Sequence, residues 1–371
     1  MPLTDYILLF LTVLYLVQMV FLWLGLRRNE SHDKDSLYRP NVSVIVAARN
    51  EETNIDECLA CLVKLDYPNK KFEIIVVDDG STDKTASIVQ EYTQRYPQLK
   101  LITAERGVGN LRGKANALSQ GIAESRGEIL MFTDADCTTP ETWIKETVCH
   151  YTEDVGVVAG FTLLSSERAF EAVQAIDWLF LVSVAAAAAG WNVPLTAVGN
   201  NLSVRRSAYD RVGGYRNLPF SVTEDYTVVQ AIWQTTRLCL RYPLIPQTIV
   251  QSKPCASWKE LFRQQQRWGV GGLDMVLRGL LLMGVQYAMH LSILIGLIVA
   301  SPWALCAAIA GKLSGDLLLL SKPVRVCKTY GLLKYFFHFE LYYFIHGLLI
   351  PFVAILSKKV VWKGIHLGKN D

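Results

Sequence analysis

The distribution of hydrophobic and polar positions predicts membrane segments towards both ends of the chain. Residues Tyr6–Leu26 form an uncharged apolar run with one amide, Gln18. At roughly 20 residues, the run is long enough to cross the hydrocarbon core as a helix. No Lys or Arg precedes it and no small-residue cleavage site follows, so an uncleaved anchor is favoured over a signal peptide. Arg27 and Arg28 follow at once, and they predict that the downstream chain stays in the cytoplasm.

A second uncharged stretch lies in the carboxyl-terminal part of the chain. It spans Gly279–Gly311, and Pro302 interrupts it. Because the stretch is too long for one spanning helix, we expect a helix from about Gly279 to Ala300 and a return helix from Pro302 to Leu320. Basic residues beyond the return helix predict a cytoplasmic loop.

The last apolar segment, Tyr335–Leu356, leaves two interpretations open. Basic residues lie on both sides of it, which is unusual for a spanning helix. The segment either crosses the membrane or folds back at Gly347 and Pro351 and lies at the interface. In both cases we expect a multi-pass protein of the cell membrane.

Between these segments, strand and helix patterns alternate. Short apolar β-branched runs predict buried strands, and longer amphipathic segments between them predict helices. This alternation indicates an α/β domain with a mostly parallel, doubly wound sheet, which binds ligands beyond the carboxyl ends of its strands. The predicted strands are Val42–Ala47, Phe72–Val77, Leu99–Thr103 and Glu128–Thr133, and the predicted helices between and beside them are Glu52–Leu65, Lys84–Tyr96 and Gly113–Ser125.

These patterns divide the chain into five parts. The uncharged stretch Trp178–Val204 stays within the central part, because Asn192 and Pro194 interrupt it and favour a buried Ala-rich helix and a strand. The predicted parts are an N-terminal transmembrane anchor at 1–28, a cytoplasmic catalytic domain at 40–255, an amphipathic interface helix at 256–278, transmembrane or interfacial helices at 279–357 and a basic tail at 358–371.

The composition agrees with a membrane protein and excludes other classes. Hydrophobic residues make up 51% of the chain and charged residues 19%, against roughly a quarter charged in soluble domains. This balance excludes intrinsic disorder. The 8 cysteines are too dilute for a disulfide-stapled module. The formal charge is +3 without a concentrated basic stripe, so we expect no nucleic acid partner.

Acidic clusters follow two of the predicted strands. Asp134 and Asp136 flank Ala135 after the strand at 128–133, and residues i and i+2 of an extended segment face the same side. Two hard oxygen ligands suit Mg²⁺ or Mn²⁺, which complete their shells with water and substrate phosphates. Asp79, in Asp78-Asp79-Gly80-Ser81, follows another strand, where a carboxylate accepts hydrogen bonds from a base or ribose or caps the next helix.

Two further motifs carry candidate chemistry. Asp225, in Thr223-Glu224-Asp225, precedes an amphipathic helix and is a candidate general base, although an acidic first turn also suits the helix dipole. Gln264, Arg267 and Trp268 lie at i, i+3 and i+4 of a helix that begins near Ser257, so they share one face. The same helix also suits a membrane interface.

The order of these motifs resembles that of the membrane-bound family 2 glycosyltransferases. The order is Val-Ala-Ala-Arg-Asn-Glu-Glu after the first strand, then Asp-Asp-Gly-Ser, Asp-Ala-Asp, Thr-Glu-Asp and Gln-Gln-Gln-Arg-Trp, over about residues 40–270. The resemblance implies a GT-A fold, an α/β domain with a doubly wound mixed sheet, and an inverting transfer from a nucleotide-sugar donor, by default a UDP-sugar.

The resemblance also implies a role for each candidate residue. Asp79 would contact the nucleotide, and Asp134 and Asp136 would bind the diphosphate through Mg²⁺ or Mn²⁺. Asp225 would be the base, and Gln264, Arg267 and Trp268 would close over donor and acceptor. Lys114, in Gly113-Lys114-Ala115-Asn116, is similar to the basic residue of the family near the donor.

The chemistry suits these residue types independently of the resemblance. A nucleoside diphosphate leaves as a polyanion, so it needs a metal and a cation such as Arg267. The incoming hydroxyl needs a carboxylate that takes its proton.

The acceptor leaves alternatives open. A lipid glycosyltransferase needs only an interface where a lipid hydroxyl meets the site, whereas a processive polysaccharide synthase needs a channel that is generally built from more helices. The tail Lys358–Gly364 is similar to that of bacterial enzymes that glycosylate carotenoids, hopanoids or ceramide, and this favours a membrane lipid acceptor. A non-catalytic binding platform is the remaining alternative, and the intact Asp134, Asp136 and Asp225 argue against it.

Overall fold

The structure is a computed structural model. It describes residues 2–29, 35, 37–106, 111–219, 221–272, 275 and 277–356, and the backbone of 360–362 and 365–367. Most of the predicted basic tail at 358–371 lies outside the described residues.

The strands and helices follow one another in alternation through the central part of the chain. The strands are β1 Val42–Ala48, β2 Phe72–Asp78, β3 Leu99–Thr103, β4 Ile129–Asp134, β5 Val155–Ala159, β6 Thr162–Leu164, β7 Leu202–Arg205, β8 Cys239–Arg241, β9 Val250–Ser252, β10 Val360–Trp362 and β11 Ile365–Leu367. The α-helices are α1 Leu3–Arg28, α2 Ile55–Leu62, α3 Thr85–Arg95, α4 Gly113–Ala123, α5 Trp143–Val148, α6 Ala169–Gly190, α7 Arg206–Arg211, α8 Gly214–Asn217, α9 Glu224–Thr236, α10 Trp258–Gly272, α11 Leu277–Val299, α12 Pro302–Val326 and α13 Phe336–Leu356. Short 3₁₀ helices lie at Gly199–Asn201, Pro246–Thr248 and Tyr330–Tyr335.

A mixed, doubly wound sheet forms the centre of the described structure, as the sequence predicts. Its strand order is β3-β2-β1-β4-β7-β5-β8. Strands β3, β2, β1 and β4 are parallel, whereas β7 runs antiparallel to both of its neighbours. Alternate residues of β1 face opposite cores: Val44 packs with Leu59 of α2, and Ile45 belongs to the core that contains Leu118 of α4. Both faces of the sheet are therefore covered, which explains the nearly continuous apolar strands.

The predicted strands agree with the structure to within one residue at each end, but helix α2 is shorter than predicted. It begins at Ile55 instead of Glu52. The preceding backbone bonds to the loop after β2: the Glu51 N–H donates to Thr85 Oγ1 at 2.8 Å, and the Glu52 N–H donates to Asp83 Oδ2 at 3.1 Å. These bonds tie the segment before α2 to the segment that follows β2 and hold it outside the helix.

Five described helices are long and apolar enough to cross a membrane: α1, α6, α11, α12 and α13. Helix α6 differs from the others, because 83% of its most apolar window is buried inside the protein, against 17–39% for the other four. The interpretation of residues 178–204 as a buried helix and a strand is therefore confirmed. Helix α13 continues through Gly347 and Pro351, so of the two interpretations left open for this segment the fold-back at these residues is wrong.

Helix α6 packs closely against the end of the N-terminal helix. A Cβ atom added at Gly25 of α1 would collide with the Ala187 carbonyl oxygen, and one at Gly190 would collide with the Gly25 carbonyl. Next to this contact, Trp191 Nε1 donates to the Phe21 carbonyl at 2.9 Å, and the two rings stack at 4.4 Å. The small residues permit a close backbone approach that fixes α1 onto the sheet domain.

A cluster of charged side chains is buried between α1, α12 and α13. Lys312 Nζ lies 2.8 Å from Asp316 Oδ2, and it also pairs with Glu340 of α13. The Tyr15 hydroxyl of α1 donates to Asp316. Since buried charges are stable only when they are paired, Lys312 holds the two carboxylates and the three helices together.

We expect Lys312→Met to leave Asp316 and Glu340 buried without a cation, and to lower the free energy of unfolding by about 3–5 kcal/mol. Unfolding of the purified protein in detergent micelles measures the loss. Lys334→Met, at an exposed position near α13, is the matched control and should leave stability unchanged. Equal stability of the Lys312 variant and the wild type would contradict this role.

Candidate active site

The acidic motifs meet at one edge of the sheet. Asp78 ends β2 and Asp134 ends β4, and β1 lies between these two strands. In the parallel ladders, Ala48 pairs with Asp78 and Ala47 pairs with Asp134. Because the carboxyl ends of parallel strands meet at the same edge, sequence-distant carboxylates are brought together there.

A cavity of about 120 Å³ lies beyond this edge. Seven of the eight predicted site residues line it, and Asp79 does not. The lining residues are Lys114, Asp134, Asp136, Leu164, Gln174, Trp178, Val198, Gly199, Asn200, Val222, Thr223, Glu224, Asp225, Ser252, Lys253, Cys255, Gln264, Arg267 and Trp268.

Lys114 is the cation at the acidic side of the cavity. It lies in the first turn of α4, and its Nζ is 2.6 Å from Asp134 Oδ1 and 3.7 Å from Glu224 Oε1. Burial alone would lower the pKa of Lys114, but the charges of Asp134 and Glu224 outweigh burial and raise the pKa above its ordinary value. Lys114 is therefore fully charged and balances part of the negative charge of the cavity.

Asp134 and Asp136 form the candidate metal site. Both line the cavity, and Ala135 between them is buried in the opposite core. Among the described residues, no group of three or more His, Cys, Asp or Glu side chains is placed to hold a metal ion by itself. Two carboxylates on one cavity wall still fit Mg²⁺ or Mn²⁺, because these ions take one or two carboxylates together with water and substrate phosphates.

Asp225 lies at the start of α9, and two backbone N–H groups hold its carboxylate in place. The Gly199 N–H donates to Oδ2 at 2.8 Å, and the Tyr226 N–H donates to Oδ1 at 2.8 Å. Burial and, to a smaller extent, the charge of Glu224 raise the pKa of Asp225, whereas Lys114 and the two backbone donors lower it. The net effect is a pKa of about 6. A carboxylate of this pKa is a better general base near neutral pH than an ordinary aspartate.

Gly199 makes this arrangement possible. A Cβ atom at residue 199 would lie 3.3 Å from Asp225 Oδ2 and 3.4 Å from Lys114 Nζ. The backbone N–H reaches the carboxylate because no side chain stands between them. The Gly199-Asn200-Asn201 turn thus has a defined part in positioning the candidate base.

Helix α10 supplies the opposite wall. Gln264, Arg267 and Trp268 all line the cavity, as their shared helix face predicts. Gln265 points away from them, is buried, and donates from Nε2 to Asp177 Oδ2 of α6 at 3.0 Å. This bond fixes the rotation of α10 about its axis, which directs the three motif residues towards the carboxylates.

Asp79 lies at the same sheet edge but outside the cavity lining. Arg49 Nη1 is 3.6 Å from Asp79 Oδ2 and donates to the Asp79 carbonyl at 2.6 Å. Burial raises the pKa of Asp79, and the nearby Arg49 and Arg106 oppose the rise. Its predicted contact with a nucleotide stays a prediction.

Several lining residues were not predicted from the sequence. Trp178 and Gln174 lie on α6, and Ser252, Lys253 and Cys255 lie on or after β9. None of these positions belongs to a motif with recognisable spacing. The large Trp178 side chain ahead of an alanine-rich helical segment was the available signal.

Comparisons with known proteins agree with this geometry. The Glycosyl transferase family 2 model matches residues 43–226. The beta-monoglucosyldiacylglycerol synthase of Synechocystis sp. is 29% identical over 248 residues, which are 65% of this chain and 49% of that protein. The poly-beta-1,6-N-acetyl-D-glucosamine synthase of Staphylococcus epidermidis is 25% identical over 252 residues, 64% of this chain and 56% of that protein. The chain spans about half the length of the curated relatives that it matches.

A solved structure shows the same fold. The mannosyltransferase PcManGT from Pyrobaculum calidifontis, in complex with GDP-Man and Mn²⁺, has a TM-score of 0.59 and 22% identity, covering 94% of this chain and 99% of that chain. The residues that the family model matches contain four of the five motifs and most of the GT-A-like mixed sheet. The chain therefore carries a glycosyl transferase family 2 domain at residues 43–226.

Proposed function

We propose that the chain is an inverting glycosyltransferase that transfers a sugar from a nucleotide-sugar donor, by default a UDP-sugar, to a hydroxyl of a membrane lipid. The observation that carries the proposal is the single cavity in which Asp225, the Asp134–Asp136 pair and Arg267 meet. These groups are a base, a metal-binding pair and a cation, the three functions that such a transfer needs.

Asp225 acts on the acceptor. As the acceptor oxygen bonds to the anomeric carbon, its proton passes to Asp225 and the bond between that carbon and the diphosphate breaks. The leaving diphosphate carries the electron pair away on its oxygen. Because the acceptor attacks the face opposite the leaving group, one displacement inverts the anomeric centre and no covalent enzyme intermediate is needed.

Asp134 and Asp136 would hold a divalent metal, Mg²⁺ or Mn²⁺, which neutralises the diphosphate when bound. Arg267 and Lys114 supply fixed positive charge in the same cavity. This charge stabilises the leaving group without reorganisation, because the side chains are already in place.

The membrane supplies the acceptor in this proposal. Helix α10 carries Arg267 and Trp268 in the cavity and exposes Trp258 and Phe262 on its outer face. Helix α11 follows it closely, and Gly269 packs against Ile350 and Ala354 of α13. The cavity thus lies beside apolar helices. The basic residues Arg27 and Arg28 in the last turn of α1 favour the cytoplasmic face of a multi-pass cell-membrane protein.

A processive polysaccharide synthase is the alternative, and the similarity to a poly-N-acetylglucosamine synthase supports it. A polar chain that crosses the membrane needs polar side chains free to line its path. Among the described helices, the charged side chains Lys312, Asp316 and Glu340 pair with one another instead, and the buried polar atoms left without a partner include those of the uncharged side chains His290, Tyr342 and His346. This pairing favours the lipid product.

The product class is tested with membranes that contain the protein and a panel of labelled sugar nucleotides. We expect label to enter the organic phase on solvent extraction, with one sugar per lipid. The matched control is Asp225→Asn membranes with the same panel. Label in a high-mass polymer that glycosidases digest would contradict a lipid product and favour the alternative.

The base is tested by Asp225→Asn and by the pH profile. The substitution removes a buried charge and keeps the size, so the fold should persist while transfer falls on the order of 10²–10⁴-fold. In the wild type, kcat/KM should rise with pH to a plateau, with a midpoint near the Asp225 pKa of about 6, because only the ionised carboxylate accepts the proton. Asp210→Asn, at an exposed position, is the control. A folded and active Asp225→Asn enzyme would remove this assignment.

The metal site is tested by Asp136→Ala. We expect Mn²⁺-dependent binding of a nucleoside diphosphate, measured by titration calorimetry, to weaken in the variant, because one of the two carboxylate ligands is lost. Full wild-type turnover in the presence of a strong chelator would show that no metal takes part.

A further inference from the structure

Trp178 brings a large aromatic ring to the cavity from outside the recognised motifs. It lies on α6, is only 7% exposed, and lines the same cavity as Gly199 and Arg267. Its ring centroid is 5.2 Å from that of Trp268, with the planes inclined by 47°. Among the described residues that line the cavity, these two are the aromatic ones.

Hydrogen bonds of two neighbouring α6 side chains, Gln174 and Asp177, hold Trp178 in place. One turn before it, Gln174 Oε1 accepts from the Cys255 N–H at 2.8 Å, and Gln174 Nε2 donates to the Cys255 carbonyl at 3.2 Å. Directly before it, Asp177 accepts from Gln265 of α10 at 3.0 Å. These bonds tie α6 to α10 and to the segment that leads into it. A ring held in this way is preorganised for binding.

The cavity has a charged part and an apolar part in its lining. The charged residues that serve the diphosphate and the proton transfer in the proposed function are Lys114, Asp134, Asp136, Glu224, Asp225 and Arg267. The apolar residues serve neither purpose, and they provide a surface for an apolar group next to the reacting hydroxyl. They are Leu164, Trp178, Val198, Val222 and Trp268.

The charged lining of the cavity favours an acceptor that is neutral over one that carries a phosphate. A phosphate acceptor is already ionised and would not need Asp225, and it would require an uncommitted cation. Lys114 is engaged with Asp134 and Glu224, and Lys253 pairs with Glu57. Arg267, the remaining cation of the described lining, serves the leaving diphosphate in the proposed function. A neutral hydroxyl needs the base and is not repelled by the carboxylates.

We propose that Trp178, together with Trp268, determines acceptor specificity by contacting the apolar skeleton next to the reacting hydroxyl of a neutral lipid alcohol. This inference rests on the proposed function. The indole contributes flat apolar area and an Nε1 donor that has no acceptor among the described residues. The ring therefore offers both stacking and one hydrogen bond to the acceptor.

The test compares Trp178→Ala and Trp178→Phe with the wild type, using the full chain in lipid nanodiscs and the donor found in the labelled panel. Acceptors are one long-chain lipid alcohol and its monophosphate. We expect Trp178→Ala to raise the acceptor KM on the order of tenfold, with Trp178→Phe recovering most of the loss. The donor KM, and slow donor hydrolysis without acceptor, should stay at wild-type values. The alcohol should be used in preference to its monophosphate.

Trp191→Phe is the matched control, because Trp191 also lies at α6 but packs on α1 away from the cavity. It should leave both KM values unchanged. The assignment would be overturned if Trp178→Ala raised the donor KM and the acceptor KM equally, or left the acceptor KM unchanged. Preference of the enzyme for the monophosphate over the alcohol would overturn it as well. If the wild type transfers no sugar to lipid, the proposed function fails instead. If lipid transfer persists and Trp178→Ala has no effect, only this inference fails.

Discussion

Crowding of negative charge around Lys114 is the constraint on which the site depends. Asp134 and Glu224 both lie within 4 Å of its Nζ, and Asp225 and Asp136 share the same cavity. Carboxylates brought this close destabilise one another unless cations or hydrogen bonds compensate. Here one lysine and two backbone N–H groups compensate only part of the charge. Burial and the remaining charge of Glu224 together raise the pKa of Asp225, and the Asp134–Asp136 side is suited to a divalent metal. The excess of negative charge over positive charge in the cavity therefore contributes to both the candidate base and the candidate metal site.

The sheet brings carboxylates from distant parts of the chain close together. Strands β2 and β4 flank β1 in parallel, so the residues after them meet at one edge. The antiparallel β7 leads in from the Gly199–Asn201 turn, which donates to Asp225. Helices α6 and α10 then close the cavity and connect it to α1 and α13. Catalytic geometry and membrane packing are therefore joined through the same two helices.

The sequence was informative wherever local chemistry decides the structure. Strand positions follow from β-branched apolar runs. The acidic motifs after β2 and β4 lie at one edge of the sheet because these strands are parallel, although Asp79 stays outside the cavity lining. Contacts between residues that lie far apart in the sequence could not be predicted from these patterns. The continuous α13 depends on packing against α6 and α10, which overrides Gly347 and Pro351. Likewise, the pairing of Lys312 with Glu340 joins residues 28 apart. Trp178 carries no motif, and only the fold shows that it shares a cavity with Asp225.

The most direct test of the account is an experimental structure of the full chain with a nucleoside diphosphate and Mn²⁺. The account predicts the metal between the diphosphate and the carboxylates of Asp134 and Asp136, with Arg267 beside the phosphates and Asp225 open on the far side. A nucleotide bound at another surface, or a metal that touches neither aspartate, would contradict it.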